Sequence, residues 1–92
     1  MEAKIKMMAA ASEALQFLRT NNKVTDSEVL QAVADFIQRQ NIRDYSTKFG
    51  MIAAATETYN IFRKEPNISD KEILRMVMLR IPDILQNIGP VK

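Results

Sequence analysis

The sequence predicts an all-α protein: a compact four-helix arrangement of two duplicated helical hairpins, plus a short C-terminal fifth helix. Three observations support this class. The 92-residue chain has only 2 Gly and 3 Pro, its apolar residues recur at helical spacing, and its second half repeats its first. A chain of this length suits one domain with its own core. We therefore expect a single domain over 1–92, with the first hairpin in 1–41 and the second in 45–88.

The internal repeat appears when the chain is shifted by 44 positions, the difference between Met7 and Met51. The shift places 7–13 over 51–57, where Met, three Ala and Glu are identical. It continues without a gap through the following turn and the next helical segment. Two unrelated helical segments rarely keep their register through a loop, so we interpret the repeat as a duplication.

The first helix of each unit is predicted over 3–20 and 46–64. Each carries an alanine triplet, at 9–11 and 53–55. Because alanine side chains let a second helix approach closely, we expect the first and third helices to cross there. The inner faces are predicted at Met8, Ala11, Leu15 and Leu18 in the first copy, and at Ile52, Ala55, Tyr59 and Phe62 in the second.

The second helix of each unit is predicted to begin with a capping box. Thr25 is followed three residues later by Glu28, and Ser69 by Glu72. In this motif the hydroxyl and the carboxylate each accept a hydrogen bond from a backbone N–H of the first turn. Turns rich in Asn or containing Pro precede both boxes.

The C-terminal segment departs from the repeat because Pro82 falls inside the predicted fourth helix. Proline removes a backbone donor and is favoured at the first position of a helix. We therefore expect a break, followed by a short fifth helix over about 82–88 that Gly89 and Pro90 terminate.

Composition limits the chemistry. The chain has no Cys and no His, so thiol nucleophiles, thiolate ligands and the commonest general base are missing. Glu13 and Glu57 occupy equivalent positions and invite a metal-site hypothesis, but the helical wheel places Glu13 opposite its apolar face, as for a solvated side chain. We expect no enzymatic activity, cofactor, metal site or small-molecule substrate. The lack of cysteine and of long apolar runs favours a cytoplasmic protein without membrane segments.

The fourth helix is the main candidate for a protein interface. It carries Met78, Leu79 and Leu85 where the first copy has Ala34, Asp35 and Asn41, so its apolar arc is wider than a two-hairpin core requires. The arc could instead be covered by the fifth helix or the N-terminus, or Pro82 could rotate Leu85 away. We expect a non-enzymatic module that forms a homodimer or binds another protein. Its contact residues are predicted to be Met78, Leu79 and Leu85, with Met76 extending the patch.

A basic end of the bundle is the second candidate. In an antiparallel arrangement, the starts of helices one and three and the ends of two and four share one end, where cations exceed anions. Phosphate contacts there would make this an accessory nucleic-acid-binding protein. The alternative is an ordinary scatter of charges, since a formal net charge of +2 does not by itself indicate nucleic-acid binding. The predicted contacts are Lys4, Lys6, Arg39, Arg43 and Lys48.

One further charge stands out in the fourth helix. Arg80 replaces Phe36 within the apolar arc, and Asp83 follows three residues later. Side chains at this spacing are neighbours on a helix, so we expect a local ion pair between them.

Overall fold

Four α-helices make up the fold. The computed structural model describes residues 2–20 and 23–88, which contain α1 (Glu2–Thr20), α2 (Asp26–Gln40), α3 (Tyr45–Lys64) and α4 (Asp70–Ile88). No strand occurs in these ranges. The predicted all-α class is therefore confirmed.

The helices are arranged around a central pair. α1 and α3 share the most extensive contact, and α2 and α4 each pack against both of them. In the described part of the chain, α2 and α4 do not contact each other. They therefore lie on opposite sides of the α1/α3 pair.

α1 and α3 run in the same direction. At one end, Lys6 of α1 and Thr47 of α3 line a common groove. Towards the other end, the guanidinium of Arg19 lies 4.9 Å from the ring centroid of Phe62. The starts of the two helices thus share one end of the bundle, and their last turns share the other.

Small residues allow this central contact. The alanines that face it are fully buried, and Thr58 is buried on α3 with its hydroxyl donating to the Ala54 carbonyl at 2.8 Å. Gly50 also belongs here, because a Cβ at this position would lie only 2.9 Å from Sδ of Met7. The two backbones are close enough that larger side chains would separate them. The fully buried alanines are Ala10, Ala11, Ala14, Ala54 and Ala55.

α2 and α4 cover the central pair with matching stripes of β-branched residues. Each stripe has three buried side chains at i, i+4 and i+8, which lie on one face of a helix. Both stripes join one continuous core with α1 and α3. The residues are Val29, Val33 and Ile37 in α2, and Ile73, Val77 and Ile81 in α4.

Caps define where α2 and α4 begin. The predicted box at Thr25 is complete: its backbone N–H donates to Glu28 Oε1 at 2.8 Å, and the Glu28 N–H donates to its hydroxyl at 3.3 Å. At α4 the Glu72 N–H donates to the Ser69 hydroxyl at 3.1 Å. The Glu72 carboxylate accepts from Arg75, and this bond holds the pKa of Glu72 below its ordinary value.

The connection between the hairpins is also defined by caps. Asn41 ends α2 in the left-handed conformation, with φ 57° and ψ 46°, which asparagine tolerates better than most residues. Asp44 then caps α3, accepting from the Thr47 N–H at 3.1 Å and from the Thr47 hydroxyl at 2.7 Å. These bonds stabilise the carboxylate and lower the pKa of Asp44.

Arg19 ties the end of α1 to the turn between α3 and α4. Its Nε donates to Asp70 Oδ1 at 2.7 Å, and its two terminal nitrogens donate to the Pro66 and Ile68 carbonyls at 3.1 and 2.8 Å. A planar guanidinium can satisfy three acceptors in this way because its donors have fixed directions. The contact places the last turn of α1 beside the start of α4, so the two helices are antiparallel.

The predicted fifth helix is wrong: α4 continues through Pro82 to Ile88. Pro82 has no backbone N–H, so the Met78 carbonyl, four residues earlier, has no intrahelical donor. Both residues are exposed, so this carbonyl lies on the solvent side, where water can satisfy it. α4 consequently extends about one turn beyond the position equivalent to Asn41. The expected terminator at Gly89 and Pro90 lies outside the described residues.

The central crossing predicts a steric test. Replacing Ala54 by Leu should destabilise the fold by about 1–3 kcal/mol, because the added methylenes have no space between the helices. Urea unfolding followed by circular dichroism measures the change. Ala34→Leu makes the same substitution at an exposed helical position and should leave the unfolding free energy nearly unchanged. Equal effects of the two substitutions would contradict close packing at Ala54.

The cap at Asp44 predicts a pH dependence. Since the folded state lowers the pKa of Asp44 below its ordinary 3.8, the carboxylate stabilises the fold above about pH 4, and this contribution is lost as pH falls through the lowered pKa. Asp44→Asn retains a capping side chain without a titrating group. Thermal unfolding from pH 6 to pH 2 should show a smaller loss of stability in Asp44→Asn than in the wild type. Parallel profiles would show that Asp44 does not contribute.

Candidate interaction surfaces

The predicted interface residues of α4 divide into two groups. Met78, Leu79 and Leu85 are 44%, 65% and 38% exposed, whereas Met76 is half-buried and packs against the core. We call the first three residues the α4 ridge. Met76 lies apart from it.

The ridge covers the outer side of α4. Met78 and Leu85 are seven residues apart and therefore lie on the same side of the helix, two turns from each other. Leu79 is rotated by about 100° from Met78 and faces away from the buried Val77 stripe. Asp83 is exposed one turn after Leu79. The ridge is thus an apolar strip with a carboxylate at its margin.

Arg80 does not form the predicted pair with Asp83. Its Nε lies 3.6 Å from Oε2 of Glu57, because position 80 is on the side of α4 that faces α3. Glu13 behaves similarly, with its carboxylate 3.9 Å from the guanidinium of Arg39 on α2. The two repeated glutamates therefore lie next to arginines of neighbouring helices.

The five predicted basic residues occupy different local environments. Lys6 and Arg43 line one groove between the start of α1 and the turn that precedes α3. Lys48 lines a neighbouring groove, and Arg39 is directed to Glu13. Lys4 is exposed. Lys6 and Arg43 share the first groove with Asp44. The groove of Lys48 adjoins it, since Asn41 and Ile42 line both.

A groove between α2 and α3 was not among the predicted sites. Its volume is about 390 Å³. Its lining is mostly apolar, with two amides and one lysine, and we call it the α2/α3 groove. The lining residues are Ala34, Ile37, Gln38, Asn41, Ile42, Lys48 and Ile52.

Exposed aromatic residues stand beside this groove at the start of α3. Tyr45 and Phe49 are 73% and 59% exposed, and their ring centroids are 6.4 Å apart. Lys48 Nζ lies 5.5 Å from the Tyr45 ring centroid, within the range of a cation–π contact. Ile52, which was predicted to face inward, is also exposed. The i, i+4, i+7 spacing of Tyr45, Phe49 and Ile52 was the sequence signal for this second stripe.

The described residues contain no group of three or more carboxylates placed to hold a metal ion. Among the same residues, no helix is both apolar enough and long enough to cross a membrane. Exposed apolar strips and grooves of this kind are typical of protein-binding sites.

Comparison with known proteins assigns no function to these surfaces. No family model, curated protein or solved structure matches the chain.

Proposed function

We propose that this protein is a non-enzymatic interaction module that self-associates, with the α4 ridge as its principal contact surface. The observation that supports the proposal is the exposure of Met78, Leu79 and Leu85 on one helix. Methionine beside leucine is a frequent composition of binding surfaces because methionine adapts its shape to a partner.

The energetics favour a reversible association. Full burial of one large apolar side chain contributes about 1.5–3 kcal/mol. Association costs at least about 4 kcal/mol in lost translational and rotational freedom. Three side chains that are already partly covered therefore support a weak complex whose population depends on protein concentration. We also propose that the two hairpins are duplicated units and that the module acts in the cytoplasm, where a chain without cysteine is at no disadvantage.

The ridge predicts a loss of association in one variant. Leu79→Asp should abolish self-association. It removes the most exposed apolar side chain of the ridge and replaces it by a shorter carboxylate that would have to lose its hydration on burial. Light scattering on a sizing column over a concentration series measures the molar mass. Helicity and thermal unfolding should stay close to wild type, since the side chain does not enter the core.

Ser27→Asp is the matched control for this experiment. It introduces the same charge at an exposed position in the first turn of α2, away from the ridge, and should associate as the wild type does. A wild-type chain that stays monomeric at every concentration would contradict self-association. An unchanged mass for Leu79→Asp would exclude the ridge.

The second candidate function is accessory nucleic-acid binding. The observation that favours it is the shared groove of Lys6 and Arg43, at the end where helices α1 and α3 begin. Arg39 contributes less to this hypothesis because it lies next to Glu13. Two cations with Asp44 beside them would support only weak, salt-dependent contact with phosphates.

The basic groove predicts a specific loss of nucleic-acid affinity. The double variant Lys6→Glu/Arg43→Glu should weaken binding of a short DNA duplex at low salt and reduce the slope of log K against log salt by about two, one for each lost phosphate contact. Fluorescence anisotropy measures both quantities. Lys23→Glu/Lys64→Glu reverses two exposed lysines at the opposite end and should have little effect. Similar losses in both double variants would indicate nonspecific attraction and contradict the site.

A further inference from the structure

We propose that copies of this chain associate head to tail, with the α4 ridge of one copy packed into the α2/α3 groove of the next. The inference rests on the proposed self-association and specifies its geometry. It assigns a function to the groove, which the sequence did not predict, and names its occupant as a second copy of the chain.

The first argument is shape. Ala34 and Met78 occupy equivalent positions under the 44-residue shift, as do Asn41 and Leu85. On α2 the small Ala34 is part of the groove lining, whereas Met78 and Leu85 are exposed on α4. Equivalent positions therefore form a depression at α2 and a projection at α4, on opposite sides of the bundle.

The second argument is chemical complementarity. Ile37, Ile42 and Ile52 line the groove with apolar surface that matches the apolar ridge. Lys48 is the charged residue of the lining, and Asp83 is the exposed carboxylate beside Leu79. A copy whose ridge enters the groove brings a negative charge to a site that carries a positive one.

The groove suits a helix better than a nucleic acid. Much of its lining is aliphatic, and a single lysine offers only one phosphate contact. The exposed rings of Tyr45 and Phe49 lie beside it, and aromatic residues are enriched where one protein binds another. An apolar helix face packed into such a groove is a common mode of recognition.

The third argument concerns symmetry. α2 and α4 lie on opposite sides of the α1/α3 pair, so the groove and the ridge face different directions. Two copies consequently cannot bury both ridges in both grooves within one closed dimer. Contacts between unlike surfaces continue from copy to copy and form rings or open chains. The mass of the wild type should therefore rise beyond a dimer with increasing concentration.

A complementation experiment tests this arrangement. Leu79→Asp removes the ridge and keeps the groove. Ala34→Glu places a charge in the groove and keeps the ridge. Position 34 is exposed on α2, and glutamate is a good helix former. Each variant alone should be monomeric. An equimolar mixture should form a 1:1 dimer that does not grow, because one intact ridge and one intact groove remain.

Light scattering of each variant and of the mixture distinguishes the outcomes. If ridges bind each other instead, Ala34→Glu alone will associate as the wild type does and mixing will add nothing, which overturns the head-to-tail geometry but leaves self-association standing. If the wild type is monomeric throughout, the proposed function itself fails. Ser27→Asp is again the charge-matched control on α2, and its mass should follow that of the wild type. Circular dichroism of each variant establishes that it is folded.

Discussion

The close contact of α1 and α3 is the constraint on which the rest of the structure depends. Alanines at Ala10, Ala11, Ala54 and Ala55 leave little bulk between the two backbones, so these helices can approach each other closely. α2 and α4 complete the core with Val and Ile stripes from either side. The contact thus determines both the central pair and the separation of the flanking helices.

That separation leaves the outer faces of α2 and α4 free to differ. Their inner stripes are equivalent and fully used by the core, whereas their outer positions do not contact each other. The small Ala34 lines the α2/α3 groove, whereas Met78 is exposed at the equivalent position of α4. The two helices therefore share the pattern of their inner faces and differ in the shape of their outer surfaces.

Local signals predicted the helices well and the interactions between helices less well. The box at Thr25 formed as predicted because its donors and acceptors lie within three residues of each other. The continuation of α4 through Pro82 was not predicted, because a helix tolerates proline where water can satisfy the unpaired carbonyl, and this depends on the position of the helix in the bundle. Arg80 binds Glu57 of another helix rather than Asp83 of its own. The exposure of Leu79 and Leu85 could be predicted because the positions 44 residues earlier hold the polar Asp35 and Asn41.

The sequence by itself determined the helical class, the bounds of the first three helices, the start of the fourth and the alanine-rich faces, because spacing and capping act over one or two turns. Only the tertiary structure decided which side chains of the predicted apolar faces are buried and which are exposed. Ile52 and Ala55 lie on neighbouring turns of α3, yet Ile52 is exposed beside the groove and Ala55 is fully buried at the crossing. Met76 is likewise half-buried while Met78 is exposed. Exposure depends on the positions of neighbouring helices, and helical periodicity alone does not specify those positions.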